Sequence, residues 1–272
     1  MSDLDIEGDV VIVTGGAAGI GKSIAEKMAS EGACVAIADI QQEKGEETAE
    51  ELSSSTPGAV SFYKTDVSDP ESDRKLAEGV EDEFGSIDVL VNNAGVLIPR
   101  LLVDPACKEQ IGPDSTNLMV DVNIKGALYC AQAVARRMID AGNGGVIINM
   151  TSESGLEGSE GQSVYAATKA ALYSFSRSWA KELGNHDIRV VGVAPGIVEK
   201  TGLRDKEYEQ SLAYTRGMSV EELRASYEEV AVPLGRVGRL TEVADVVCFL
   251  ASDMASYITG TVVNVSGGKS RA

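Results

Sequence analysis

An apolar run, Val10 to Val13, passes at once into Thr14-Gly15-Gly16-Ala17-Ala18-Gly19-Ile20-Gly21-Lys22, after which Ile24, Ala25, Met28 and Ala29 recur at helical spacing. Strand, glycine turn and helix in so short a span can be a plain strand-to-helix connection, or they can cradle a phosphate. Glycine lets the backbone approach an anion closely, and a helix N-terminus offers free N–H groups and the positive end of the helix dipole. A second apolar run, Ala33 to Ala38, ends in Asp39, about twenty residues past the glycines. A carboxylate there can accept hydrogen bonds from an adenosine ribose and would repel a 2′-phosphate, so the cofactor expected is NAD rather than NADP.

The same alternation continues along the chain. An acidic helix is expected from Gln41 to Ser55, and a strand from Ala59 to Lys64 that leads to Asp66-Val67. Asp69-Pro70-Glu71 supplies an N-cap, a proline at the first helical position and an early acid for a helix towards Phe84. Ile87 to Val91 is the next strand and ends in Asn92-Asn93-Ala94-Gly95. Residues 97–117, with Pro99, Pro105, Gly112 and Pro113, read as loop, and a long helix follows from Leu118 to Ala141. Val146 to Met150, Ile188 to Ala194 and Thr261 to Val265 complete a set of seven strands, with helices between them through Leu183 and from Thr241 to about Ser252. Short apolar strands alternating with helices predict right-handed βαβ units on a doubly wound parallel sheet, an α/β fold with helices on both faces. Residues 198–232 are charged, helical in pattern and carry a capping-box candidate, Ser219-Val220-Glu221-Glu222. An excursion of that length is expected to be a lid over a substrate, within one domain spanning 1–272.

Composition narrows the partners. A net charge of −18 argues against nucleic acid and anionic membrane surfaces. Cys34, Cys107, Cys130 and Cys248 form no CxxC pair and fit a reducing compartment, while a lone His186 leaves little material for a metal site. No long apolar run and no basic, apolar leader is seen, so a cytoplasmic protein is expected.

The chemistry is expected at Tyr165 and Lys169, four apart and so on one face of a helix. A unit charge about 4 Å from a phenol, at an effective dielectric of about 20, is worth on the order of 4 kcal/mol, enough to lower its pKa by about three units. That would make Tyr165 a usable base near neutral pH. Ser152 follows the strand ending at Met150, on the same sheet edge as Gly15, Asp39 and Asn92. Taken singly, Tyr165 and Lys169 can be incidental on an amphipathic helix, Ser152 a turn hydroxyl and Asn123 an ordinary polar helix residue.

TGGAAGIG at 14–21, DV at 66–67, NNAG at 92–95, Asn123, Ser152, YAATK at 165–169 and PG at 195–196 occur together and in order. In these motifs the chain resembles the short-chain dehydrogenase/reductases over nearly its whole length. The resemblance implies a Rossmann-like domain, a catalytic tetrad of Asn123, Ser152, Tyr165 and Lys169, and a homotetramer or dimer packed through the helices starting near 118 and 162. It implies cofactor contacts at Gly15, Ala18, Gly19, Ile20, Gly21, Asp39, Asp66, Val67, Asn92, Ala94, Gly95, Tyr165, Lys169, Pro195, Gly196 and Val198. One position departs from the pattern. Lys200 stands where the family usually has a threonine that meets the nicotinamide carboxamide, and Thr201 follows it.

Four stretches, 99–105, 151–165, 212–217 and 267–271, are similar to the branch of the family that oxidises sorbitol 6-phosphate to fructose 6-phosphate. A phosphorylated substrate needs cations, and Arg100, Lys200, Arg204, Arg216, Lys269 and Arg271 are the candidates. The rival substrates are an apolar alcohol such as a hydroxysteroid or bile acid, and a β-ketoacyl group, against which Asp39 argues. A non-catalytic NAD-binding regulator is the reading from another class, and it would have no use for the tetrad.

Overall fold

The structure, a computed structural model, describes residues 4–228 and 232–270. Seven parallel strands form one sheet: β1 (Val10–Thr14), β2 (Cys34–Asp39), β3 (Val60–Lys64), β4 (Val89–Asn92), β5 (Gly145–Met150), β6 (Ile188–Pro195) and β7 (Val262–Val265). Their order is β3-β2-β1-β4-β5-β6-β7. The register aligns Val13 with Ile37 and Val91, Val91 with Ile148, and Ile148 with Val191. Because side chains alternate along a strand, this row faces one way and the row Ala36, Ile12, Leu90, Ile147, Val190 faces the other.

Each row seeds a separate apolar layer. The first is covered by α1 (Gly19–Ser30) through Ile24 and Met28, by α2 (Gln42–Ser55) through Leu52, and by α10 (Leu240–Ala251) through Val243 and Val247. The second is covered by α3 (Pro70–Phe84) through Leu76 and Val80, by α5 (Ala127–Ala141) through Val134 and Met138, and by α7 (Ser163–Leu183) through Trp179, with the one-turn α6 (Ser154–Glu157) between β5 and α7. Strands so covered on both faces read as unbroken apolar runs, which is why they stand out in the sequence.

The ends of α3 follow their local chemistry. Asp69 accepts from the Glu71 N–H at 3.0 Å, Pro70 opens the helix, and Gly85 closes it at φ 84°. The region after β4 differs from the sequence expectation. Helix α4 (Pro113–Val120) starts five residues before Leu118, because Pro113 occupies the first helical position, where its missing N–H costs nothing. It runs through a π-helical turn, Asp121–Gly126, into α5. That widened turn carries Asn123.

In the 198–232 excursion, α8 (Lys206–Thr215) and α9 (Val220–Glu228) pack on each other through Leu212, Ala213 and Leu223, and residues 229–231 lie outside the described set. Ser219 and Glu222 form the expected reciprocal cap, with the Ser219 N–H donating to Glu222 at 2.8 Å and the Glu222 N–H to Ser219 Oγ at 3.1 Å. Among the described residues no helix is long and apolar enough to cross a membrane.

Candidate active site

Strands β2 and β3 step one way from β1, and β4 to β7 step the other, so the C-terminal ends of β1 and β4 flank the crevice at the reversal. Here the glycine turn closes on itself. Gly15 has φ 64°, and its N–H donates to the Ala38 carbonyl at 2.7 Å. A Cβ on Gly21 would sit 2.1 Å from the Gly15 carbonyl oxygen, so only glycine fits there. Helix α1 begins with no side-chain cap and no acid in its first turn, which leaves its N–H groups and dipole available to an anion. Asp39 is buried beside the turn, accepting from the Ala17 N–H at 3.1 Å and the Gln41 N–H at 3.0 Å. Each carboxylate oxygen keeps acceptor capacity for a ribose hydroxyl. Uncapped helix, side-chain-free turn and adjacent carboxylate together fit a dinucleotide.

On the far side of the crevice α7 presents Tyr165 and Lys169 as one face. The Lys169 ammonium passes the Tyr165 ring at 5.8 Å from its centroid and donates to the Met150 carbonyl at 2.7 Å. Burial pushes Lys169 down to about 8 and pushes Tyr165 up to about 12, with the Ser152 hydroxyl opposing the tyrosine shift. A phenol brought near neutrality by Lys169 is the expectation from sequence; in the structure burial moves the phenol the other way, and the ammonium's hydrogen bond goes to the Met150 carbonyl. Ser152, leaving β5, shares its hydroxyl with Ser154 Oγ at 2.9 Å. Asn123 is fully held: its Oδ1 accepts from the Val96 N–H at 2.8 Å, and its Nδ2 donates to the Val96 carbonyl at 2.9 Å and to Thr168 Oγ1 at 3.0 Å. Gly95 sits between Asn123 and Lys169. A Cβ there would meet Asn123 Oδ1 at 3.4 Å and Lys169 Nζ at 3.5 Å.

Ser152 and Tyr165 open into a cavity of about 250 Å³ whose wall also includes Ile20, Gly196, Thr201 and Glu153. Its outer side is the excursion, through Arg204, Tyr208, Leu212, Arg216 and Tyr227. The six candidate cations separate here. Arg100 pairs with Glu109 at 2.5 Å and Lys200 with Glu209 at 3.7 Å, and neither lines the cavity. Lys269 lines it but pairs with Glu153. Arg204, stacked 4.8 Å over the Tyr227 ring, and Arg216, 3.3 Å from Ser159 Oγ, line it with no ion pair among the described residues. Arg271 lies outside the described residues.

Residues 15–270 match the family described as enoyl-(acyl carrier protein) reductase. A sorbitol-6-phosphate 2-dehydrogenase of Klebsiella pneumoniae is 50% identical over 271 residues, 98% of each chain. The chain belongs to the short-chain dehydrogenase/reductase family. A sorbitol dehydrogenase of Cereibacter sphaeroides is 40% identical, covering 97% of this chain and 98% of its own. Among solved structures, a 3-ketoacyl-(acyl-carrier-protein) reductase from Brucella melitensis complexed with NADH superposes with a TM-score of 0.82 at 28% identity, over 98% of this chain and 100% of that one. As a short-chain dehydrogenase/reductase the protein is an oxidoreductase that uses a nicotinamide cofactor and acts on CH–OH groups.

For this family member the structure sorts the remaining expected contacts. Gly15, Ala18, Gly19, Ile20 and Gly21 form the turn and the start of α1, and Ala94 abuts Gly15, whose Cβ would lie 2.9 Å from Ala94 Cα. Pro195, Gly196 and Val198 line the cavity at the end of β6. Asp66 is occupied as a turn acceptor for Ser68 at 2.9 Å, and Val67 packs on Gly126. Asn92 turns its side chain inward, donating to Asn149 at 3.0 Å, so it ties β4 to β5 and has only its backbone to offer a ligand. Thr201, not Lys200, lies against the cradle: a Cβ on Gly19 would come 3.3 Å from its Cβ. Two braces were not expected from the sequence. Asn93 donates to the Thr14 and Gly15 carbonyls at 2.9 and 3.1 Å and so pins the glycine turn, and Thr168 holds Asn123. The NNAG and YAATK motifs contain both residues, but nothing in the sequence alone says which way their side chains turn.

Proposed function

We propose that the protein oxidises sorbitol 6-phosphate to fructose 6-phosphate with NAD, as one catalytic domain whose residues 198–232 form a lid. The observation that carries the substrate is the pair of arginines, Arg204 and Arg216, which have no ion pair among the described residues and lie in the wall of the cavity that also holds Ser152 and Tyr165. A phosphate dianion in a protein of net charge −18 needs such a local basic site, since the global field repels it. The likeness to a sorbitol-6-phosphate 2-dehydrogenase supports the same substrate. Asp39 supports NAD, because its buried charge would face the 2′-phosphate of NADP.

The mechanism follows from the four side chains. Tyr165, as phenolate, takes the proton of the substrate hydroxyl; in the reverse direction its phenol returns that proton to the carbonyl oxygen. The Ser152 hydroxyl donates to the substrate oxygen and stabilises the charge that develops on it. Lys169 adds positive charge to the buried site and so favours the phenolate over the phenol. Asn123, fixed by Val96 and Thr168 beside Gly95 and Lys169, holds a water that relays protons from the Lys169 ammonium to solvent. The bound nicotinamide cofactor supplies the hydride acceptor and one positive charge. Thr201 takes the carboxamide contact usual in the family, in place of Lys200. The active species is a homotetramer or dimer in the cytoplasm, packed through α4–α5 and α7. Replacing Tyr165 by Phe is the test: cofactor titration by fluorescence is expected to be unchanged while turnover falls by several orders of magnitude, and retention of most activity would sink the assignment.

A further inference from the structure

Glu153 follows Ser152 directly out of β5, and its side chain is only 10% exposed. Oε1 receives the ammonium of Lys269, from the segment after β7, while Oε2 is buried with no hydrogen-bond partner among the described residues. Both residues line the catalytic cavity. The carboxylate reaches over Gly196: a Cβ at that position would come 3.0 Å from Oε2 and 2.8 Å from Ser266 Cβ, so the absence of a side chain there is what lets the carboxylate seat in the wall. An ionised carboxylate can only accept hydrogen bonds. Burying one of its oxygens unpaired costs much of what the lysine returns, and a packed apolar pair would serve the fold at least as well. What the ion pair does achieve is to fix a negatively charged acceptor in the cavity wall, one residue from the Ser152 hydroxyl. The partner such an oxygen takes must be a donor.

We propose that Glu153 is a substrate-binding residue whose carboxylate accepts a hydrogen bond from a hydroxyl on a carbon next to the one oxidised, with Lys269 as its positioning residue. This rests on the polyol reading above and extends it to specificity. A buried acceptor left unpaired by a substrate lacking that hydroxyl makes the pocket select polyhydric over monohydric and steroidal alcohols. The same charge repels a phosphate, so a polyol phosphate enters with its phosphate towards Arg204 and Arg216 on the lid and its hydroxylated end towards Glu153.

The test is a cycle between protein and substrate. Sorbitol 6-phosphate and its 1-deoxy and 3-deoxy analogues are compared in the wild type and in Glu153→Gln, with NADH affinity by fluorescence titration as the control for folding. In the wild type, loss of one of these hydroxyls is expected to lower kcat/KM by about 10- to 100-fold, chiefly through KM. In the variant the parent substrate already carries that loss, and removing the same hydroxyl costs less than about 3-fold more. An equal hydroxyl penalty in both proteins, or no loss in the variant, overturns the proposal. If the glutamine variant fails to bind NADH, Glu153→Asp replaces it, with the hydroxyl penalty expected to shrink in the same sense. If the wild type ignores sorbitol 6-phosphate, the phosphate reading falls and the cycle is run on sorbitol with its 1-deoxy and 3-deoxy forms; activity on no polyol overturns both.

Discussion

At the level of single residues, the catalytic pair is set by a competition between burial and charge. Tyr165 at about 12 and Lys169 at about 8 are moved towards their neutral forms by the same desolvation. Oxidation of an alcohol needs Tyr165 as phenolate, which burial disfavours, so kcat/KM for oxidation is expected to rise with pH across the alkaline range, and that for reduction to fall. Lys169→Met removes the positive charge beside the phenol, and the rising limb should move to higher pH by a unit or more; a limb that stays in place in a pH–rate profile would exclude the lysine from this role. Asp39 is the second decisive residue. With its two oxygens fixed by Ala17 and Gln41, it cannot swing away from a 2′-phosphate. Asp39→Ala is expected to reduce the preference for NAD over NADP by about 100-fold, read as the ratio of kcat/KM for the two cofactors.

At the level of elements, the layer between α3 and α5 contains a carboxyl group with an unusual environment. Asp73 is buried, its Oδ1 lies 2.8 Å from Cys130 Sγ and its Oδ2 has no partner among the described residues. Burial pushes it up to about 7, against the opposing Cys130 contact. Its folded pKa thus exceeds its unfolded one, and the native state binds the extra proton between pH 4 and 7. The stability contributed is complete below about 4 and is lost as pH rises towards 7, an effect on the order of 2–4 kcal/mol. Asp73→Asn should flatten much of that decline in denaturant titrations between pH 5 and 8. Asp9, pushed up to about 6, leaves a residual slope of the same sign. A variant whose stability falls with pH as steeply as the wild type would contradict this assignment. The same elements show what the sequence could tell. Strands β1, β4, β5 and β6 are buried on both faces and announce themselves as apolar runs. The start of α4 at Pro113 was hidden because a proline read as a breaker can equally open a helix. The π-helical turn at Asn123 has no signature in local composition; in the structure Asn123 is tied to Val96 and Thr168 across the crevice.

At the level of the whole molecule, the parallel sheet gathers Gly15, Asp39, Ser152 and Pro195 from four strand ends onto one edge, and α7 brings Tyr165 and Lys169 to it. That convergence was legible in the sequence, because a doubly wound topology follows from the alternation and the topology fixes the edge. The substrate end was not. Of five described candidate cations, only tertiary contacts distinguish Arg204 and Arg216 from Arg100, Lys200 and Lys269, which carboxylates already hold. Those two arginines line the cavity of a chain of charge −18 without an ion pair among the described residues, and the proposed substrate depends on them. The most direct test is therefore the ratio of kcat/KM for sorbitol 6-phosphate over sorbitol with NAD, in the wild type and in the double variant Arg204→Met/Arg216→Met. A wild-type ratio of at least about 100, falling to within about 10 in the variant, is expected from the loss of two charge-assisted contacts. A wild-type ratio near one, or a high ratio that survives the double substitution, would contradict the account.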